Sequence, residues 1–327
     1  MRREAWRKPA RLICKVIFLA KFATSILAQT YTVFDVPGAV ATYPVGINNR
    51  GDVTGSFFDT QGFAHGFVRD SNGNLALFDG TPTAINDAGV VTGFLGNTEC
   101  FLRDGTGDIT LFDVPQIFGP HETVVGQLAI DNSGQIAGWI GCAPACSEFL
   151  YAFIRDKNGV ITTFFLAPQG LTATSINAGG DITGINKALF HLRGFVGDRN
   201  GEITLFDAPG ASGPPLCGFP ITSPVSINNN GDVAGSFSCS VNNGGFIRMR
   251  NGTFEVFGGF PVSINEPGDV VGFGLPDATG THDFVRDNKG NVTVFDAGTP
   301  TSINDRDDVT GYFFDATGTH AFVRSSH

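Results

Sequence analysis

Apolar and polar residues alternate along this chain in short runs of about four to eight, the half-buried strand pattern, and the runs are bounded by Asn-Gly and Asp-Gly neighbours that mark tight turns. Helical runs rich in alanine and leucine are missing. The runs fall into one repeating unit, I-N-x-x-G-D-V-T-G, then a variable stretch, then A-F-V-R-D-x-N-G-x-x-T-x-F-D. Its opening dipeptide occurs seven times, at Ile47-Asn48, Ile85-Asn86, Ile130-Asp131, Ile176-Asn177, Ile227-Asn228, Ile264-Asn265 and Ile303-Asn304, at spacings of 37 to 51 residues. A unit of that length holds four strands and fits a propeller blade; it is too long for one coil of a β-helix.

Each unit repeats its large and its small residues. A glycine lies two residues after a Val or Ile in the second strand (Gly55, Gly93, Gly138, Gly184, Gly235, Gly272, Gly311). A phenylalanine opens the third strand (Phe67, Phe101, Phe153, Phe195, Phe246, Phe284, Phe322) and another sits late in the fourth, from Phe34 to Phe295. Rings that need close neighbours and glycines that admit them predict packing between blades. The first turn reads N-x-x-G, with Gly supplying a positive φ; in the seventh copy Asp307 takes that place and is expected to adopt the left-handed conformation itself.

Strand order predicts how the ends meet. After residue 28 the chain opens on Thr32-Val33-Phe34-Asp35, a fourth strand, and it finishes on Ala321-Phe322-Val323-Arg324, a third strand. Residues 29–327 therefore read as one all-β domain, a seven-bladed β-propeller with four antiparallel strands per blade, closed by the N-terminal strand joining the C-terminal blade. The unit, with Ser302-Ile303-Asn304, Val309-Thr310-Gly311 and His320-Ala321-Phe322, resembles the HAF repeat of probable extracellular bacterial proteins over nearly the whole of this span. The resemblance implies an extracellular setting and carries no shared catalytic residues.

Composition changes the picture at the N-terminus. Arg2, Arg3, Arg7, Lys8, Arg11 and Lys15 precede a mostly apolar run from Val16 to Ala28, which reads as a signal peptide over 1–28 and predicts a secreted or periplasmic protein. The run is too short for a membrane span. Without it 14 basic and 30 acidic residues remain, a net charge near −16, which argues against nucleic acid as a partner and favours neutral or cationic ones. A monomer is expected.

Candidate chemistry is sparse. The Asn or Asp that ends each innermost strand should ring one mouth of the central channel, with Asp52, Asp181, Asp232, Asp269 and Asp308 nearby. Such oxygens can hold a structural Ca²⁺, but recurrence in every blade favours an Asn that closes its own turn and a solvated Asp, with no cofactor. His65, His282 and His320 share one repeat position and lie too far apart for zinc. The arginines of another position (Arg69, Arg103, Arg155, Arg248, Arg286, Arg324) are expected to pair with Asp between blades. Cys142 with Cys146, and Cys217 with Cys239, read as disulfides in an exported protein, leaving Cys100 without an evident partner. Loop lengths are constant on one face and variable on the other, so a binding site is expected on the variable face at His121, Glu122, Trp139, Glu148 and Tyr151. The leading functional expectation is a non-enzymatic scaffold for a ligand, glycan or protein. The alternatives are a carbohydrate-active enzyme using carboxylates of the variable face, and a purely structural surface protein.

Overall fold

A computed structural model describes residues 29–96, 99–115, 117, 122–143, 150–167, 170–188, 191–211, 218–240 and 242–325, with backbone alone at 122–124 and 142–143. Among the described residues all regular elements are strands, and they fall into seven groups of four. Blade one, for example, runs through Ala41–Ile47, Val53–Phe58, Ala64–Arg69 and Leu75–Phe78, each antiparallel to the next. Blades two to six follow with the same order, from Thr81–Ile85 to Val292–Phe295. The seventh has three strands of its own, Thr299–Ile303, Val309–Phe314 and Thr319–Ser325, and takes its fourth from Thr30–Phe34. The register runs from Thr30 opposite Ser325 to Phe34 opposite Ala321, as the strand order predicts. The fold is a β-propeller.

Two rows of aromatic rings hold neighbouring blades together. The seven third-strand phenylalanines are all fully buried, none more than 1% exposed. The fourth-strand phenylalanine of the preceding blade meets them edge-on, Phe34 on Phe67 at 6.0 Å, Phe78 on Phe101 at 5.8 Å and Phe206 on Phe246 at 6.0 Å. The second-strand glycine makes room beneath. A Cβ on Gly55 would stand 2.1 Å from the Tyr43 carbonyl oxygen and 2.9 Å from the Phe67 ring. Beside it Thr54 donates its hydroxyl to the Phe67 carbonyl, so a buried polar group is satisfied inside the blade.

The arginine row works differently from the expected Asp pairing. Each guanidinium lies over the fourth-strand phenylalanine of the preceding blade, Arg69 over Phe34 at 4.7 Å and Arg155 over Phe112 at 4.8 Å, and so on to Arg324 over Phe295 at 5.0 Å. Its Nη1 donates to the carbonyl of the next residue in blades one, two, three, five and six. Among the described residues, Arg286 alone in this row also bonds a carboxylate across the interface, that of Glu255. A planar cation between a ring and a carbonyl keeps its charge solvated by the protein itself, which a buried Arg–Asp pair does at greater desolvation cost. The buried Nη1 of Arg324 has no hydrogen-bond partner among the described residues.

Asp307 has φ 62°, against 78° to 93° for the six glycines at its turn position. Burial, and then the neighbouring Asp269 carboxylate, push its own carboxyl up to about 6. Asp307→Gly is therefore expected to stabilise the protein at pH 7, through relief of the left-handed backbone and removal of a half-buried charge. A carboxyl raised in the folded state favours folding only while protonated, so the gain should shrink as pH falls from 6 towards 4. Urea midpoints of both proteins at pH 7 and pH 4 measure this; a loss of stability at pH 7 would count against the reading of the turn.

Candidate functional site

The seven innermost strands converge on one end of the channel. In every blade this strand carries a bulge just before its Ile-Asn pair, between Pro44 and Gly46 in blade one and between Pro300 and Ser302 in blade seven. The same shift occurs in the other five blades. Proline flanks five of the seven bulges, a place where its missing N–H costs the ladder nothing. The bulge turns the isoleucines and the residues beyond them into the channel, where they line a cavity of about 210 Å³.

The cavity is floored by the seven isoleucines and walled by the ring asparagines other than Asn228, which belongs to the same ring. Each ring asparagine is almost fully buried, with exposures of 2% to 4%. The amide oxygen serves its own turn: Asn48 Oδ1 accepts the N–H of Arg50 and of Asp52 at 3.0 and 2.9 Å. The amide nitrogen serves the next blade. Asn48 Nδ2 donates to the Asn86 carbonyl, Asn86 to that of Asp131, Asn177 to Asn228, Asn228 to Asn265, Asn265 to Asn304, and Asn304 back to Asn48, at 3.0 to 3.3 Å. Closing the turn was expected; stitching the ring was not. Three of the five neighbouring aspartates are not solvated as expected either. Asp52, Asp269 and Asp308 are 6% to 8% exposed. Asp52 and Asp308 accept from the ring Nδ2 at 3.1 Å, and Asp269 accepts from the Asn288 N–H, because burial beside a turn requires a donor for each oxygen.

The residue after each ring position forms the rim. Asn49 N–H donates to the Asp87 carboxylate and Asp87 N–H to Asn132 Oδ1. Ala178 N–H donates to Asn229 Oδ1, Asn229 N–H to the Glu266 carboxylate, Glu266 N–H to that of Asp305, and Asp305 N–H to Asn49 Oδ1. The lining thus holds the carboxylates of Asp87, Asp131, Glu266 and Asp305 and no Lys or Arg. Burial, with Asp305 and Asp87 nearby, raises the Glu266 carboxyl above its ordinary value. Such a mouth offers hydrogen bonds to hydroxyl or ammonium donors and repels anions.

Of the residues expected to bind on the variable face, the structure describes the side chains of Trp139 and Tyr151. Trp139 lies half-buried across the innermost strand of blade three; a Cβ on Gly126 would stand 1.9 Å from its ring. Tyr151 stacks on Phe165 at 4.8 Å. Both rings are therefore held by packing within their own region, on adjacent strands that place Ile140 opposite Tyr151. Glu122 is placed by its backbone alone, opposite Ala143, and Cys142 opposite Thr123. His121, Glu148, Cys146 and Cys217 lie outside the described residues. Cys239 ends the second strand of blade five and is not a free thiol. Cys100 is buried and free, its thiol pushed up to about 12 by burial.

The repeat-position histidines are each gripped by two aspartates. His282 meets Asp277 at 3.0 Å and Asp296 at 2.8 Å, and His320 meets Asp315 at 3.1 Å and Asp35 at 2.8 Å. His65 stands between Asp59 and Asp79 at 3.5 and 3.2 Å. The clamp ties the second-to-third-strand loop to the end of the fourth strand. Hydrogen bonds to these carboxylates raise His282 and His320 above the ordinary imidazole value. Hydrogen bonds, from Thr279 and Thr317 first, hold Asp277 and Asp315 down to about 2. A raised histidine contributes stability that is present below pH 6.5 and lost as pH rises through its folded value; the lowered aspartates contribute above pH 3.8. The urea midpoint of the protein should therefore fall between pH 6 and pH 8.5. His282→Gln with His320→Gln should flatten that slope, and an unchanged slope would show the clamps to be silent.

Comparison with solved structures matches this architecture. A streptogramin B lyase aligns at 13% identity over 90% of this chain and 97% of that one, with a TM-score of 0.59. Virginiamycin B lyase from Staphylococcus aureus aligns at 12% over 91% and 99%, with 0.60. The β-propeller domain of the trilobed protease from Pyrococcus furiosus, which has an open velcro topology, aligns at 11% over 88% and 94%, with 0.61. At such identities the likeness is one of fold. No protein-family model and no curated protein matches the chain.

Proposed function

We propose that this chain is an exported, non-enzymatic propeller that binds a neutral or cationic glycan at the asparagine-lined mouth. One observation carries the reading: a cavity of about 210 Å³ whose walls are amides, carboxylates and backbone polar groups, without a basic side chain, over an apolar isoleucine floor. Rings of preorganised donors and acceptors on a rigid scaffold suit hydroxyl-rich ligands. Export follows from the leader over 1–28 and from the expected Cys142–Cys146 and Cys217–Cys239 bridges, which non-reducing peptide mapping of the secreted protein tests. The test of function is a glycan array probed with residues 29–327. Binding of neutral or amino oligosaccharides and none of acidic ones is expected; a blank array would overturn the reading.

A second reading, a carbohydrate-active enzyme, has its own support on the variable face. Asp283, half-buried next to His282, has its carboxyl pushed up to about 6, by burial first and by the nearby Asp296 carboxylate. A carboxyl that titrates near neutrality suits general acid catalysis. Cleavage of an array-positive glycan, lost in Asp283→Asn, would establish it.

A further inference from the structure

Two circuits of hydrogen bonds run round the mouth, and both are interrupted at one interface, between blades three and four. In the inner circuit Asp131 stands where an asparagine Nδ2 elsewhere donates to the next blade. A carboxylate has no hydrogen to give, so on this side the Asn177 carbonyl is left with the N–H of Gly180 from its own turn, at 2.9 Å. In the outer circuit each other blade presents a side-chain oxygen to the N–H of the blade before it, as Asp87 does to Asn49; the residue at that place after Asn132 is Ala178, whose methyl can accept nothing. Independent drift would more often place the two departures at different interfaces.

We infer that this gap is where a saccharide binds, a neighbouring pair of its hydroxyls completing the two circuits. The inference rests on the mouth being the glycan site. What the interface lacks is one donor and one acceptor, side by side. A hydroxyl group supplies either. One donates its single hydrogen to the Asn177 carbonyl, beside the Asp131 carboxylate; the oxygen of the next accepts the Asn132 N–H. The carboxylate is 5% exposed and fixed in place by Ser133 and Gln135, whose N–H groups reach its Oδ1 at 2.8 Å and whose Gln135 Nε2 reaches Oδ2 at 2.8 Å. The site is therefore preorganised, and no side chain needs to reorder. Ala178 and Asn132 are exposed, and the missing side chain at 178 leaves the space that the sugar takes. An acidic saccharide is excluded by the Asp131 charge together with those of Asp87, Glu266 and Asp305 on the rim.

The experiment fills the gap from the protein side. Asp131→Asn restores the inner donor and Ala178→Asn the outer acceptor. Wild type and the double variant are titrated calorimetrically with neutral cello-, malto-, xylo- and manno-oligosaccharides, and their melting temperatures are compared. The variant is expected to unfold cooperatively, with the Gln135 amide turning its oxygen towards the new amide group, and to lose at least about tenfold in affinity for whichever sugar the wild type binds. Ala178→Asn alone, at an exposed position, should show part of the loss and guards against a folding defect. Undiminished affinity in both variants overturns the gap as the binding place while leaving the glycan reading intact. A wild type that binds none of the sugars, nor anything on the array, overturns that reading and this inference with it.

Discussion

Removing residues 29–35 is expected to unfold the propeller, not to trim it. The strand Thr30–Phe34 supplies the outer edge of blade seven through a five-residue register with Ala321–Ser325. Phe34 packs edge-on against the fully buried Phe67 of blade one and lies under the Arg69 guanidinium. Asp35 holds one side of the His320 clamp, and Gln29 accepts from Arg324. Losing the half-buried Phe34 ring costs about 1–2 kcal/mol. A cation–π contact adds about 1, and the ladder bonds contribute about 1 each. Together these exceed about 5 kcal/mol, the lower bound of a typical domain's stability. The truncated chain should be insoluble or show no cooperative urea transition, and a synthetic peptide of residues 29–36 should restore one. A truncation with the wild-type midpoint would show that the ends do not depend on each other.

That dependence was legible in the sequence because it is a matter of order. Seven copies of Ile-Asn, a spare fourth strand at the start and a missing one at the finish leave one way to satisfy both edges. The Phe and Gly rows were legible for a similar reason: a ring and a hydrogen atom recurring at fixed offsets have few other uses. Asp307 at φ 62° was read from the single copy that breaks the glycine pattern.

Interactions that cross from blade to blade were not legible. Asn48 already had an explanation in its own turn, and nothing local says that its Nδ2 reaches a carbonyl 38 residues away. The arginine row and the fourth-strand Phe row were both visible as repeats, but that one stacks on the other depends on which strands face each other across an interface. The bulge in the innermost strand left no more than a proline in five blades of seven. A signal for the His clamps was present: His65 and Asp79, and His282 and Asp296, are each 14 residues apart, and in blade seven the partner of His320 is Asp35 at the other end of the chain.

Asn304→Asp is expected to destabilise the protein by about 3 kcal/mol at pH 7. Asn304 is 3% exposed, and both ends of its amide are in use. Oδ1 accepts the N–H of Arg306 and of Asp308, each at 3.0 Å. Nδ2 donates to the Asn48 carbonyl at 3.0 Å and to the Asp308 carboxylate at 3.1 Å. A carboxylate in its place keeps the first pair and turns the second into two contacts between acceptors, one of them between like charges. The blade-seven to blade-one stitch is lost at the interface that already depends on the terminal strand. Protonating the new carboxyl restores a donor, and burial beside Asp308 raises its folded pKa, so stability should be regained as pH falls. Asn304→Ala removes the amide at any pH and gives the control. Relative to wild type, the aspartate variant should recover most of its lost urea midpoint between pH 7 and pH 4.5, and the alanine variant should recover none. Equal losses at both pH values in the two variants would mean that the turn, and not the stitch, is what the ring asparagine supports.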